Sequence, residues 1–178
     1  MWGGWNLYQY PLNPVEYSDP LGLDACKVLY PDYPIEYADG WTSTWLGGHG
    51  GIVGYDKKGV TKYYEYGRYA PGLKGIVGVK RSADYGNIRN LSMPNLVLDK
   101  DGNPTKKSLE NLKSALSKRA GKNTAAELTC SKDVDEKKIY DYINGIANNE
   151  KRDKYAWNPF SPNQCRSFAD DAFNAGGG

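Results

Sequence analysis

The chain has 178 residues, with 23 Lys and Arg against 21 Asp and Glu and a formal net charge of +2. That length holds one domain of ordinary size, and the charge balance offers no dense positive field, so no nucleic-acid partner is expected. Hydrophobic residues at 39% and 15 tyrosines exclude a disordered chain. No run approaches the roughly 20 apolar residues that a membrane span needs.

Residues 1–23, MWGGWNLYQYPLNPVEYSDPLGL, lack the basic-then-apolar pattern of a signal peptide and predict short extended pieces broken by turns. Residues 24–44 stay aromatic and proline-bearing, as in Tyr30-Pro31-Asp32-Tyr33-Pro34, and are expected to form a loop-rich lead-in. The folded domain is expected over residues 45–178. It opens with a hairpin, in which Gly50–Tyr55 and Val60–Tyr66 are β-prone runs joined by Asp56-Lys57-Lys58-Gly59, with glycine where a positive φ is wanted. Gly75–Lys80 predicts a third strand and Asn95–Asp99 a short further piece. Leu109, Leu112 and Leu116 mark one face of a helix ended by Gly121, and Ile139, Ile143 and Ile146 mark a second over Val134–Ala147. Between them Ala125–Cys130 predicts another strand. A last helix is announced by Ser161-Pro162-Asn163-Gln164, in the order of an N-cap serine, a first-turn proline and a capping-box glutamine.

Along that last helix Cys165, Phe168, Ala169, Ala172 and Phe173 share one apolar face, so Cys165 points inward from the first turn. There the helix dipole and unpaired N–H groups favour a thiolate and can hold an oxyanion. A thiol nucleophile also needs a base, and the chain has a single histidine, His49, in Gly47-Gly48-His49-Gly50-Gly51 at the mouth of the first hairpin strand. Strand alternation puts Tyr63 and Glu65 on one face of the second strand, which nominates Glu65 to orient the imidazole. Asn163 and Gln164 are candidate oxyanion donors, although capping accounts for Gln164. Arg68 is a candidate for a substrate carboxylate or for a surface role. Three cysteines and one histidine show no metal-ligand spacing, so neither metal nor cofactor is expected. Cys26 and Cys130 could pair, or all three thiols could stay reduced.

Two resemblances extend these expectations. Asn6-Leu7-Tyr8, Asn13-Pro14 and Asp19-Pro20-Leu21-Gly22-Leu23, in that order, resemble the end of the Rhs core that precedes a variable toxin. This implies a parent polypeptide with a large β-rich shell, processing near Leu23–Asp24, and a cognate immunity protein. Gly48-His49-Gly50-Gly51-Ile52-Val53 followed by Asn163-Gln164-Cys165-Arg166-Ser167-Phe168 resembles the circularly permuted papain-like superfamily, which includes NlpC-related amidases and lecithin–retinol-acyltransferase-like proteins. It implies an α+β fold with a small antiparallel sheet packed against helices, Cys165 as nucleophile and His49 as base. The expected function is an antibacterial effector that acts as a cysteine-dependent amidase or peptidase, with peptidoglycan peptides as the first substrate to test. The alternatives are a thiol protease, deamidase or acyltransferase acting in the cytoplasm, and a non-catalytic domain that binds a target or a membrane.

Overall fold

The computed structural model describes residues 24–38, 40–44, 48–132, 134–156 and 162–178. Six strands form one antiparallel sheet in the order β6-β7-β5-β4-β1-β8. They are β1 (Asp24–Tyr30), β4 (His49–Tyr55), β5 (Thr61–Gly67), β6 (Ile76–Val77), β7 (Asn87–Leu91) and β8 (Glu127–Ser131). A separate two-stranded ribbon pairs β2 (Ile35–Ala38) with β3 (Trp41–Ser43). Three helices cover the sheet: α1 (Lys106–Arg119), α2 (Glu136–Asn148) and α3 (Cys165–Ala175). None of the described helices is long and apolar enough to cross a membrane.

The expected β4–β5 hairpin is present. Asp56 Oδ1 accepts from the Lys58 and Val60 N–H groups, and Gly59 takes the turn's positive φ of 75°. Strand period 2 then sorts the side chains. Ala25, Ile52, Tyr66 and Ile88 meet Ile139, Ile143, Phe168 and Ala172 of α2 and α3 on one face, while Val28, Val53 and Tyr63 meet Leu112 and Leu116 of α1 on the other. The helix caps follow from sequence as well: Thr105 accepts from Ser108 N–H, and Asp135 accepts from Lys138 N–H.

Several expectations change. Residues 24–44 are no loop-rich lead-in: β1 lies between β4 and β8 inside the sheet, so the domain takes in Asp24–Tyr30 as well as the residues from 45 on. The reason lies in distant partners. Cys26 faces Cys130 across the β1–β8 ladder and forms a disulfide with it, and Lys27 is balanced by Asp170 of α3 at 2.6 Å. The Gly75–Lys80 run shrinks to Ile76–Val77, because Gly75 and Gly78 adopt φ of 90° and 70° and break the extended backbone on either side. Asn95–Asp99 makes only an isolated bridge, Leu98 to Pro104. β7 was not expected at all. α3 starts later than its sequence suggests: Ser161 lies outside the described residues, Pro162 to Gln164 form bends, and Gln164 is the N-cap, with Ser167 Oγ accepting from the Gln164 N–H at 3.1 Å. Cys165 is consequently the first helical residue.

Candidate active site

β4 begins at His49, so the imidazole stands at the end of the sheet where the first turn of α3 also arrives. The glycines beside it have separate physical reasons. Gly48 has φ of 72°, and a Cβ there would sit 2.1 Å from the Tyr30 carbonyl oxygen. Gly50 lies under α3, where a Cβ would meet Arg166 Cα at 3.4 Å and the Cys165 carbonyl oxygen at 3.5 Å. Gly51 leaves room for Tyr63, whose hydroxyl would be 2.4 Å from a Cβ. A side chain at 51 would displace Tyr63, which holds the carboxylate, whereas a Cβ at 50 would sit at ordinary contact distance from α3.

His49 Nε2 lies 3.0 Å from Glu65 Oε2 and 3.2 Å from the Tyr69 hydroxyl. Nδ1 is the nitrogen left to face Cys165, which lines the same cleft. Tyr30 stacks on the imidazole at 5.9 Å between centroids and Tyr33 packs against it at 4.8 Å, which fixes the ring plane. Glu65 is fully buried, and Tyr63 donates to its Oε2 at 3.0 Å. Its other oxygen, Oε1, accepts from Arg89 Nε at 2.7 Å and Nη2 at 2.5 Å. The register makes this possible, because Glu65 stands directly opposite Gly51 on β4 and Arg89 on β7.

The electrostatics follow from these contacts. Burial alone would keep the Cys165 thiol protonated. The charge and hydrogen bond of His49, with further hydrogen bonds from Tyr155 and the Gly50 N–H, outweigh it and lower the thiol's pKa. Burial alone would likewise lower the imidazole, but the Cys165 thiolate and then Glu65 outweigh it and raise its pKa. Burial opposes ionisation of Glu65 too, and contacts with His49 and then Arg89 prevail, so its pKa is lowered. Opposite shifts on a facing thiol and imidazole both favour the thiolate–imidazolium form over the neutral pair.

A cleft of about 200 Å³ opens onto the pair, with Tyr33, Tyr69, Tyr155 and Gln164 in its wall and Glu36, Arg68 and Lys122 also lining it. Tyr155 accepts a hydrogen bond from the Cys165 N–H at 3.2 Å. The remaining candidates divide. Gln164 caps α3 and also lines the cleft. Asn163 does not line the cleft: its amide donates to the Asp153 and Lys154 carbonyls at 2.8 Å each, and its Oδ1 accepts from Tyr66. Its visible work is to pin the strip that carries Tyr155. Arg68 pairs with Asp84 at the cleft wall. Leu23 lies outside the described residues, and Asp24 opens β1. Among the described residues no His, Cys, Asp and Glu group could hold a metal ion.

Sequence reasoning missed Arg89, Tyr69 and Tyr155. It also missed Arg152, which is buried and donates to the Val79, Gly86 and Asn149 carbonyls, bracing the chain just before Tyr155. The one usable signal for Arg89 was chemical: a carboxylate set to be buried among tyrosines needs a cation.

Fold and site together define an α+β domain whose sheet and last helix bring a thiol, an imidazole and a carboxylate into one buried chain of contacts. The chain belongs to the TseH-like family of type VI secretion system effectors, whose family model matches residues 25–176. Membership places it among proteins delivered into target cells. It is similar in fold to the crystal structure of the type VI secretion system effector TseH, with a TM-score of 0.68 and 24% identity over 89% of this chain and 79% of that one.

Proposed function

We propose that this effector is a cysteine-dependent amidase or peptidase, of the permuted papain-like kind, in which Cys165 is the nucleophile, His49 the acid–base and Glu65 the orienting carboxylate. The observation that carries it is the buried contact chain Glu65–His49–Cys165 opening onto a cleft. In the reaction the Cys165 thiolate attacks an amide carbon and the imidazolium gives its proton to the departing amine. Water then enters, giving one proton to His49 and its hydroxyl to the acyl carbon, and the freed carboxylic acid leaves as the thiolate returns. Of the expected oxyanion donors Gln164 lines the cleft beside the thiol, and it is the one we assign that role.

Peptidoglycan peptides are the substrate class we favour. The Cys26–Cys130 bridge supports this over the cytoplasmic alternatives, since a structural disulfide suits an oxidising compartment outside the cytoplasm. Purified peptidoglycan incubated with wild-type protein should release peptide fragments bearing new amino groups, and the Cys165→Ala variant should release none. Equal release by both proteins, or none by either, rejects the substrate. We further infer that residues 1–23 are the end of an Rhs core cleaved at Leu23–Asp24, and that a cognate immunity protein is the partner. The family match begins at residue 25, which suits that boundary.

A further inference from the structure

Arg89 does not line the cleft, yet its guanidinium closes the contact chain at the end remote from the thiol. Resting on the proposed function, we propose that Arg89 is a positioning residue: by balancing Glu65 it allows His49 and Cys165 to exist together as imidazolium and thiolate.

Charge counting carries this. His49, Glu65 and Cys165 are 5%, 0% and 3% exposed, so their charges cannot be offset by water. The His49 imidazolium touches two anions, Glu65 on one side and Cys165 on the other, and one cation cannot neutralise both. Arg89 supplies the second positive charge. Its fork engages only Oε1, leaving Oε2 to His49 and Tyr63. The guanidinium itself lies over the Tyr69 ring, 4.5 Å from its centroid, and Tyr69 in turn reaches His49. The other titratable groups facing the chain do not alter the sum. Tyr30 and Tyr33 from β1 and the turn after it, Tyr63 of β5, Tyr69 beyond it and Tyr155 before α3 are all pushed upward, first by burial, and remain neutral phenols. At the cleft wall, the exposed Lys122 and Glu36 are opposite in sign, and Arg68 pairs with Asp84.

Without Arg89 the buried site carries a net negative charge, relieved by protonating either the thiolate or Glu65. A partner change that removes the carboxylate charge relieves it as well. The test is the pH profile of Cys165 alkylation by iodoacetamide in the full chain, followed by mass spectrometry with the Cys26–Cys130 bridge intact. Arg89→Met should slow alkylation about tenfold at a fixed pH on the acid limb, moving that limb up by about one pH unit. The double variant Arg89→Met with Glu65→Gln should recover at least half of that displacement. A purely architectural Arg89 gives the reverse, because the double variant loses two anchors instead of one. Should Arg89→Met fail to fold, recovery is read as the return of cooperative thermal unfolding in the double variant. An Arg89→Met profile superimposable on wild type, or a double variant no nearer wild type than the single one, overturns the inference. An ordinary thiol profile in the wild type, unmoved by His49→Ala, overturns the proposed function and this inference with it.

Discussion

The two faces of the sheet are buried by different chemistry. Toward α2 and α3 the contacts are apolar, with Ile52 and Ile88 against Ile139, Ile143 and Phe168. Toward α1 the face starts apolar at Val53 and Leu116, then becomes ionic at its other end, where His49, Glu65 and Arg89 replace hydrocarbon. Apolar packing is a sum of many small terms, so removing one methylene removes one share. The ionic strip is a set of mutually dependent charges, and taking one away leaves the rest costly.

The sharpest way to break this contrast is Glu65→Leu, which fills the volume but strands the cations of His49 and Arg89. It should cost about 4 kcal/mol, roughly 12 °C in Tm for a chain of this size, and abolish peptide release, because the imidazole loses the carboxylate that orients it. The wild type should show the same dependence in its acid limb. The pKa of Glu65 is lowered by folding, so its stabilisation is complete above the ordinary glutamate range and is lost as pH falls through the folded value. Urea unfolding at pH 7 and at successively lower pH measures it.

Cys130→Ser acts on a third region. The bridge closes a separation of 104 residues, and opening it should cost about 3 kcal/mol in denaturant unfolding. Cys130 lies on β8, two places from β4 in the sheet, so the pH profile of Cys165 alkylation should stay where it was. Movement of that profile would mean that the edge strand is coupled to the site.

The smallest effect belongs to the apolar face. Ile143→Val should cost about 1 kcal/mol by thermal unfolding and leave both alkylation and peptide release unchanged.

The same contrast governs what could be read from residues alone. Helix faces such as Leu112/Leu116 and Ile139/Ile143 are periodic and local, and so was the inward Cys165 on α3. His49 stood out by being unique, and Glu65 by sharing a strand face with Tyr63. What escaped depended on partners far along the chain. β1 carries Lys27 in its middle, which argues against an interior strand until Asp170, 143 residues later, is known to meet it. β7 is written Asn-Ile-Arg-Asn-Leu, a run poor in β-formers, and its arginine makes sense only opposite a buried glutamate. Tyr155 precedes the helix it serves in a stretch with no periodicity, and its position depends on Arg152 and Asn163.

The antiparallel pairing of β1 with β4 also sets how far Asp24 lies from the site. Tyr30 stands opposite His49, whereas Asp24 stands opposite Tyr55 at the other end of the ladder. Six residues of extended backbone separate the two ends, about 20 Å. Asp24 therefore lies at the end of the ladder remote from His49 and from the mouth of the cleft.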